Sequence, residues 1–255
     1  MIDSLVLPYA PPARDKVHVG TFVKTPSAQV IEVLGLAGLD FAVLDAEHAP
    51  WDRGTLDLAL IAGRACGLPL LVRLPDRGAA ATLMVLDQGA AGVVVPHVDS
   101  AADARDAVAC ARYMGGRRGF SGSSRAGCYG TLGMAETVRR GDRAVVIVQI
   151  ESEAAVTSAA EILAVPGVAG VLIGRADLAL SMRLTSTQDP RVVAATDHVV
   201  KAALAAGRLL GVAVGTDAER QRFLAQGANW VVQGSDQSLL RQAAAALRQP
   251  ATGID

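Results

Sequence analysis

Lysine is nearly missing from this chain of 255 residues: only Lys16, Lys24 and Lys201 carry a side-chain amine, and arginine supplies the rest of the positive charge. Chemistry through an imine needs a lysine where substrate binds. Lys24 is the one lysine near the end of an apolar run, so covalent amine chemistry is narrowed to a single candidate. Cysteine is as scarce. Cys66, Cys110 and Cys128 are odd in number and widely spaced, which excludes a disulfide framework and any Cys-based metal-ligand spacing. Free thiols in a reducing cytosol are expected. Neither sign of charge is in excess: the net charge is −1, which argues against a polyanion-binding surface and a nucleic-acid partner. No apolar run reaches the roughly 20 residues of a membrane span. Met1-Ile2-Asp3-Ser4 lacks the basic start and apolar core of a signal peptide. A soluble cytoplasmic protein without a membrane partner is therefore the expectation.

What is present is alternation. Short runs rich in Val, Ile and Leu occur at Val17–Val23, Phe41–Asp45, Pro69–Leu74, Gly92–Pro96, Val145–Ile150, Val168–Ile173, Leu209–Val214 and Asn229–Val232. Their near-continuous apolar character is that of parallel strands buried on both faces. Between them lie helical patterns at Ser27–Ala37, Arg53–Cys66, Ala79–Gln88, Ala101–Arg112, Glu153–Leu163, Arg191–Ala206, Ala218–Gln226 and Ser235–Leu247. Ser27, Asp52 and Ser100 stand where N-caps are wanted, and Gly67, Gly89, Gly207 and Gly227 where helices end. Eight strands alternating with eight helices predict a (β/α)8 TIM barrel in one domain over 1–255, with a proline-containing N-terminal arm of about fifteen residues. An open doubly wound sheet is the competing architecture, but no G-x-G-x-x-G follows the first strand. The connection from Tyr113 to Arg143 is unusually long and rich in Gly, Ser and Arg, and reads as a loop that binds an anionic ligand, covers the site or contacts a subunit, with plain flexibility as the bland alternative.

In such a barrel the strand C-termini share one rim, and the chemistry sits there. The second strand ends in Leu44-Asp45-Ala46-Glu47-His48-Ala49-Pro50, the third in Arg73, the fourth in Pro96-His97, and the sixth in Gly174-Arg175-Ala176-Asp177. The fifth ends in Gln149-Ile150-Glu151, with Gln149 and Glu151 on one face. Glu151 and Asp177, from adjacent strands, suit a hard divalent cation completed by water and substrate; helix capping or salt bridges are the bland alternative. Arg73 at a buried strand end needs an anionic partner, either substrate or a carboxylate such as Asp45 or Asp76. His48 is the candidate base. His97 ranks second, lacking carboxylates near it in sequence; His18 falls at the far end of the barrel and His198 within a helix.

Together these segments resemble the HpcH/HpaI aldolase family, metal-dependent class II pyruvate aldolases. The resemblance runs from about Val17 to Leu240 and rests on Leu44-Asp45-Ala46-Glu47-His48-Ala49-Pro50, Leu71-Val72-Arg73, Leu86-Asp87-Gln88-Gly89, Arg117-Arg118-Gly119, Val148-Gln149-Ile150-Glu151 and Ile173-Gly174-Arg175-Ala176-Asp177-Leu178. It implies a barrel of the phosphoenolpyruvate/pyruvate type and cleavage of 4-hydroxy-2-oxo acids to pyruvate and an aldehyde, with oxaloacetate decarboxylation as the alternative. It implies His48 as general base, made more basic by Asp87, and Arg73 as enolate stabiliser. Glu151 and Asp177 would bind the metal (Mg²⁺ or Mn²⁺, with Co²⁺ possible). Gln149, Arg73, Asp177 and the backbone at Gly174 and Ala176 would bind the pyruvyl unit, and Asp45 would support the site. A homo-oligomer, favoured as a hexamer with the last helix exchanged between subunits, is also implied. Many members have Gly-Pro-x-Asp-Leu where this chain has Arg175; that side chain is expected either to bind a carboxylate on the aldehyde or to point outward.

Overall fold

The computed structural model describes residues 16–248; the expected N-terminal arm lies outside them. Eight strands, β1 (His18–Val23), β2 (Phe41–Asp45), β3 (Leu70–Arg73), β4 (Gly92–Val95), β5 (Val145–Ile150), β6 (Gly170–Ile173), β7 (Leu209–Val214) and β8 (Trp230–Ser235), pair in parallel and in sequence order. Pairing of β1 with β8 closes the barrel.

The helices are α1 (Ala28–Leu36), α2 (Arg53–Cys66), α3 (Ala79–Asp87), α4 (Ala101–Ala111), α5 (Met134–Gly141), α6 (Glu153–Thr157), α7 (Ala159–Ala164), α8 (Arg175–Ser181), α9 (Pro190–Ala205), α10 (Asp217–Ala225) and α11 (Asp236–Ala246). Asp52 caps α2, accepting from Thr55 N–H at 2.8 Å, and Ser100 caps α4 through Asp103 N–H at 3.1 Å. Ser27 occupies the N-cap of α1 but makes no capping hydrogen bond. Gly67, Gly89, Gly207 and Gly227 all have positive φ, the left-handed stop expected of them. Among the described residues no helix is long and apolar enough to cross a membrane.

Three segments depart from the sequence reading. The segment read as one long loop contains a 3-10 turn (Arg125–Gly130) and α5. The helix expected over Glu153–Leu163 is two short ones, joined at Ser158. The sixth strand, read as ending in Gly174-Arg175-Ala176-Asp177, stops at Ile173, and α8 begins at Arg175, so Asp177 lies in a helix's first turn.

Two apolar layers hold the barrel. Inside, Phe41, Val43, Leu71, Val94, Ile147, Leu172 and Trp230 fill the lumen. Phe41 and Trp230 stack at 4.4 Å, 11° from parallel. Glycine makes room for each ring. A Cβ on Gly20, which pairs with Phe41, would fall 2.6 Å from its ring, and one on Gly211, paired with Trp230, 2.7 Å from the indole. Outside, the other faces of the strands pack on helix residues such as Ile31, Leu56, Val85, Ile162 and Val199. Filling of the lumen by side chains leaves the strand C-termini as the open end.

Candidate active site

Strand register assembles one side of the rim. Asp45 and Arg73 end neighbouring strands and are direct partners, so their side chains meet. Arg73 Nε and Nη2 lie 2.9 and 2.8 Å from Asp45 Oδ1, and Nη1 lies 3.1 Å from Glu47 Oε2. The guanidinium rests over Phe22 at 4.8 Å. Lys24, one residue past β1, places Nζ 3.2 Å from Asp45 Oδ2, and the His48 N–H donates to Asp45 Oδ1 at 3.2 Å. Asp45, with no exposed surface, thus joins three strand ends.

These contacts set the charge states. Burial pushes the Asp45 carboxyl up, but the charge and hydrogen bonds of Arg73, the His48 N–H and the charge of Lys24 outweigh it and hold it below the ordinary carboxylate range. Glu47 goes the other way: burial, helped by the nearby Glu151 charge, raises it despite Arg73. A carboxyl held below its ordinary value adds stability above the unfolded pKa and loses it as pH falls through the folded one. The stability difference between wild type and Asp45→Asn is therefore expected to be largest near neutral pH and to shrink below about pH 4. Urea titrations at stepped pH measure it; a difference independent of pH would refute the assignment.

The other side comes from β5 and β6. Ile150 pairs with Ile173, which sets Glu151 beside Gly174. Glu151 is buried. Its Oε1 accepts from the His97 N–H at 2.8 Å and lies 3.0 Å from His97 Nδ1, and its Oε2 accepts from Gln149 Nε2. Gln149 is buried too, and its Oε1 has no partner. A Cβ on Gly174 would meet Glu151 Oε2 at 2.9 Å and Gln149 Nε2 at 3.2 Å, so glycine leaves open a cradle beside both.

A cleft of about 270 Å³ opens between the two sides, lined by His48, Arg73, Gln149, Gly174, Ala176 and Asp177, with Arg175, Thr187 and Ala213 farther along. Of the sequence-derived site residues, Asp45 is fully buried against Arg73 as a support, and the others line the cleft with two exceptions. Glu151 stands behind Gln149 and Gly174 rather than among the lining residues. Asp87 is not brought to His48 at all. It ends α3, which runs back toward the strand N-termini, where Ala91 N–H donates to Leu70 O; its carboxylate pairs with buried Arg118 at 2.8 Å. An Asp87–His48 dyad is thus not an intramolecular one. Arg175 does not point outward. It is buried, with Nη2 2.8 Å from Glu219 Oε1 and 3.2 Å from Ala213 O, over the Phe223 ring.

Sequence reasoning passed over Glu47 as a site member and ranked His97 low. The structure links them: His97 Nε2 lies 3.3 Å from Glu47 Oε1. The available signal was position alone, since both follow strands whose C-termini share the rim.

Among the described residues no three His, Cys, Asp or Glu side chains form a cage for a metal ion. The protein offers less than a full set: Glu151 beside Gly174, Asp177 at the cleft in the first turn of α8, and the unpartnered Gln149 oxygen, all hard donors. That inventory fits a Mg²⁺-like ion completed by water and substrate, which typically takes only one or two protein carboxylates.

Known proteins bear on this arrangement. The family model described as HpcH/HpaI aldolase/citrate lyase matches residues 18–243. The chain is 36% identical over 234 residues to a 5-keto-4-deoxy-D-glucarate aldolase of Klebsiella pneumoniae and 35% identical to one of Shigella dysenteriae, covering 91% of both chains in each case. Among solved structures, it resembles an HpcH/HpaI aldolase/citrate lyase family protein from Burkholderia cenocepacia, with a TM-score of 0.89, 30% identity, and coverage of 95% of this chain and 99% of that one. The HpcH/HpaI aldolase of Desulfitobacterium hafniense follows at a TM-score of 0.85 and 28% identity, covering 94% of this chain and 96% of that one. The barrel, its rim chemistry and these matches agree: this chain belongs to the HpcH/HpaI aldolase/citrate lyase family and is a lyase of the aldolase type.

Proposed function

We propose that the protein is a divalent-metal-dependent aldolase that cleaves a 4-hydroxy-2-oxo acid of the sugar-acid type to pyruvate and an aldehyde, and runs the reverse addition. The observation that carries this reading is the meeting of His48, Arg73, Gln149 and Asp177 around one cleft at the strand C-termini. The glucarate-derived substrate in the names of the 35–36% identical relatives supports the sugar-acid assignment.

Glu151 and Asp177 would hold the ion. Bound there, it would act as Lewis acid toward the 2-oxo group and carboxylate of the substrate. The chain's own residues do the rest. His48 takes the proton of the 4-hydroxyl; the C3–C4 bond breaks, C4 leaves as the aldehyde and the electron pair stays on C3 as the pyruvate enolate. Protonation of C3 then yields pyruvate. Arg73, fixed by Asp45 and Glu47, puts a preorganised donor beside the enolate oxygen. Gln149 offers a buried carbonyl oxygen without a partner, and Arg175 flanks the space left for the aldehyde. Decarboxylation of oxaloacetate leaves the same enolate, so it gives a readout independent of the aldehyde.

An imine mechanism is disfavoured by geometry. Lys24, its only rim candidate, is held at buried Asp45, with Nζ 3.2 Å from Oδ2, and is not among the residues that line the cleft, where an imine would have to form. A homo-oligomer with α11 exchanged is part of the same reading: along that helix Leu239 and Leu240 are exposed, and only Asp236 is buried.

The test is turnover of 4-hydroxy-2-oxo acids and oxaloacetate by chelator-stripped protein. Activity should vanish on stripping and return with Mg²⁺, Mn²⁺ or Co²⁺. His48→Ala should lower kcat by about 10²–10⁴-fold. Full activity in chelator, with inactivation by borohydride in the presence of pyruvate, would overturn the reading.

A further inference from the structure

His97 has no role in the chemistry above, yet the fold holds it in an unusual way. It follows Pro96 at the end of β4 with φ of 53°, in the left-handed region that non-glycine residues seldom occupy. Such a conformation persists only where surrounding contacts over-determine it. Here the contacts are identifiable. The turn brings the backbone N–H (2.8 Å) and ring Nδ1 (3.0 Å) of one residue onto the same oxygen, Glu151 Oε1. The opposite ring nitrogen, Nε2, lies 3.3 Å from Glu47 Oε1.

Both carboxylates are engaged at their far sides as well. Glu47 Oε2 is 3.1 Å from Arg73 Nη1, and Glu151 Oε2 accepts from Gln149 Nε2. A chain of contacts Arg73–Glu47–His97–Glu151–Gln149 therefore crosses the rim, with the His97 ring largely exposed at its middle. Its two ends, Arg73 and Gln149, line that cleft, and His97 is the link that joins the β2–β3 half to the β5–β6 half.

We propose that His97 is a positioning residue: its ring and N–H fix the Glu151 carboxylate for a divalent cation and couple it, through Glu47, to Arg73. The inference rests on the metal-dependent reading. Outer partners that hydrogen-bond a ligating carboxylate are typically worth 10–100-fold in metal affinity, and the effect here should be of that order.

Mn²⁺ binding to the chelator-stripped full chain, followed by calorimetry or by the electron paramagnetic resonance of free Mn²⁺, tests it without recourse to activity. His97→Gly keeps the backbone N–H, suits positive φ and deletes only the ring; it should weaken Mn²⁺ binding by about 10–100-fold. His97→Asn tolerates the left-handed conformation and returns a side-chain donor, and should recover a large part of the loss. His97→Gly binding Mn²⁺ within twofold of wild type would overturn the positioning role while leaving the metal-dependent reading intact. A loss in His97→Gly that His97→Asn does not repair, together with an equal drop in the melting temperature of both stripped variants, would assign the ring to general stability and overturn it too. Wild type that binds no Mn²⁺ would overturn the metal-dependent reading, and the role of His97 with it.

Discussion

Exchange of Arg73 for lysine is expected to lower kcat/KM by about 10²–10³-fold, the usual cost of one preorganised donor in a site of this kind, with the barrel still folded. The guanidinium does two jobs at once. Three of its nitrogens grip Asp45 and Glu47 while the same group lines the cleft. A lysine ammonium keeps the charge but is a single point on a flexible stem, unable to span both carboxylates and hold a fixed direction. The loss should appear in kcat as much as in kcat/KM, because the donor matters most when charge collects on the enolate oxygen. Arg73→Met separates the second job. It leaves two buried carboxylates without their main counter-charge, and breaking such a pair from one side typically costs about 3–5 kcal/mol. The methionine variant should unfold at distinctly lower urea than wild type, the lysine variant much less so. Turnover of Arg73→Lys within threefold of wild type, on oxaloacetate as well as hydroxy-oxo acids, would remove Arg73 from the chemistry and leave it a structural clamp.

Which features could be read in advance follows from the range over which each is determined. Barrel strands bury both faces, so each is a local apolar run, and all eight were visible at their observed places within a few residues. The helices that lie over the barrel were visible for the same reason, and their stops because left-handed positions select glycine, as at Gly67 and Gly227. The elements that escaped carry weak local signals. α5 reads Met134-Ala-Glu-Thr-Val-Arg-Arg-Gly, short, charged and embedded in a glycine-rich stretch. α8 starts at Arg175 directly after Gly174, with no Ser, Thr, Asp or Asn at its N-cap.

The site divides along the same line. Asp45, Arg73 and Gln149 were legible because a charged or amide group at the end of a buried run is anomalous in itself, and Asp177 because it follows such a run closely. Glu47, His97 and Glu219 were not, because their meaning lies in partners far along the chain: Glu47 and Glu151 flank His97 from 50 residues before it and 54 after. Only the closed strand order brings them together. Arg175 shows the same limit in reverse. Its charge stood out, but whether it faced water or protein depended on Glu219 and Phe223, more than forty residues on. Asp87 was assigned by likeness to the family, and a position in a motif does not say whether its partner belongs to the same chain.

Adding one methyl group at Gly174 is expected to cost at least 10²-fold in kcat/KM. The φ and ψ of Gly174 are −89° and 76°, so an alanine there is not forced into the left-handed region, and the penalty is one of contact. The new Cβ would lie 2.9 Å from both Cβ and Oε2 of Glu151 and 3.2 Å from Gln149 Nε2. The first two distances are shorter than real Cβ atoms tolerate, so Glu151 must move or α8 must tilt. Both responses displace the groups that matter. Moving Glu151 disturbs its hold on Gln149, and tilting α8 carries Asp177 away from the cleft. A misplacement of about 1 Å is enough for a loss of this size, and overpacking itself should destabilise the fold by only about 1–3 kcal/mol. Mn²⁺ affinity should fall alongside activity, because the added methyl presses on Glu151 and sits at the start of the helix that carries Asp177. Gly133→Ala, at a helix N-cap where a Cβ meets nothing within 4 Å, serves as the control and should stay within twofold in both measurements. If Gly174→Ala binds Mn²⁺ and turns over oxaloacetate like that control, the space beside Gly174 is not where the keto acid and its ion are held, and the site must be sought elsewhere along the rim.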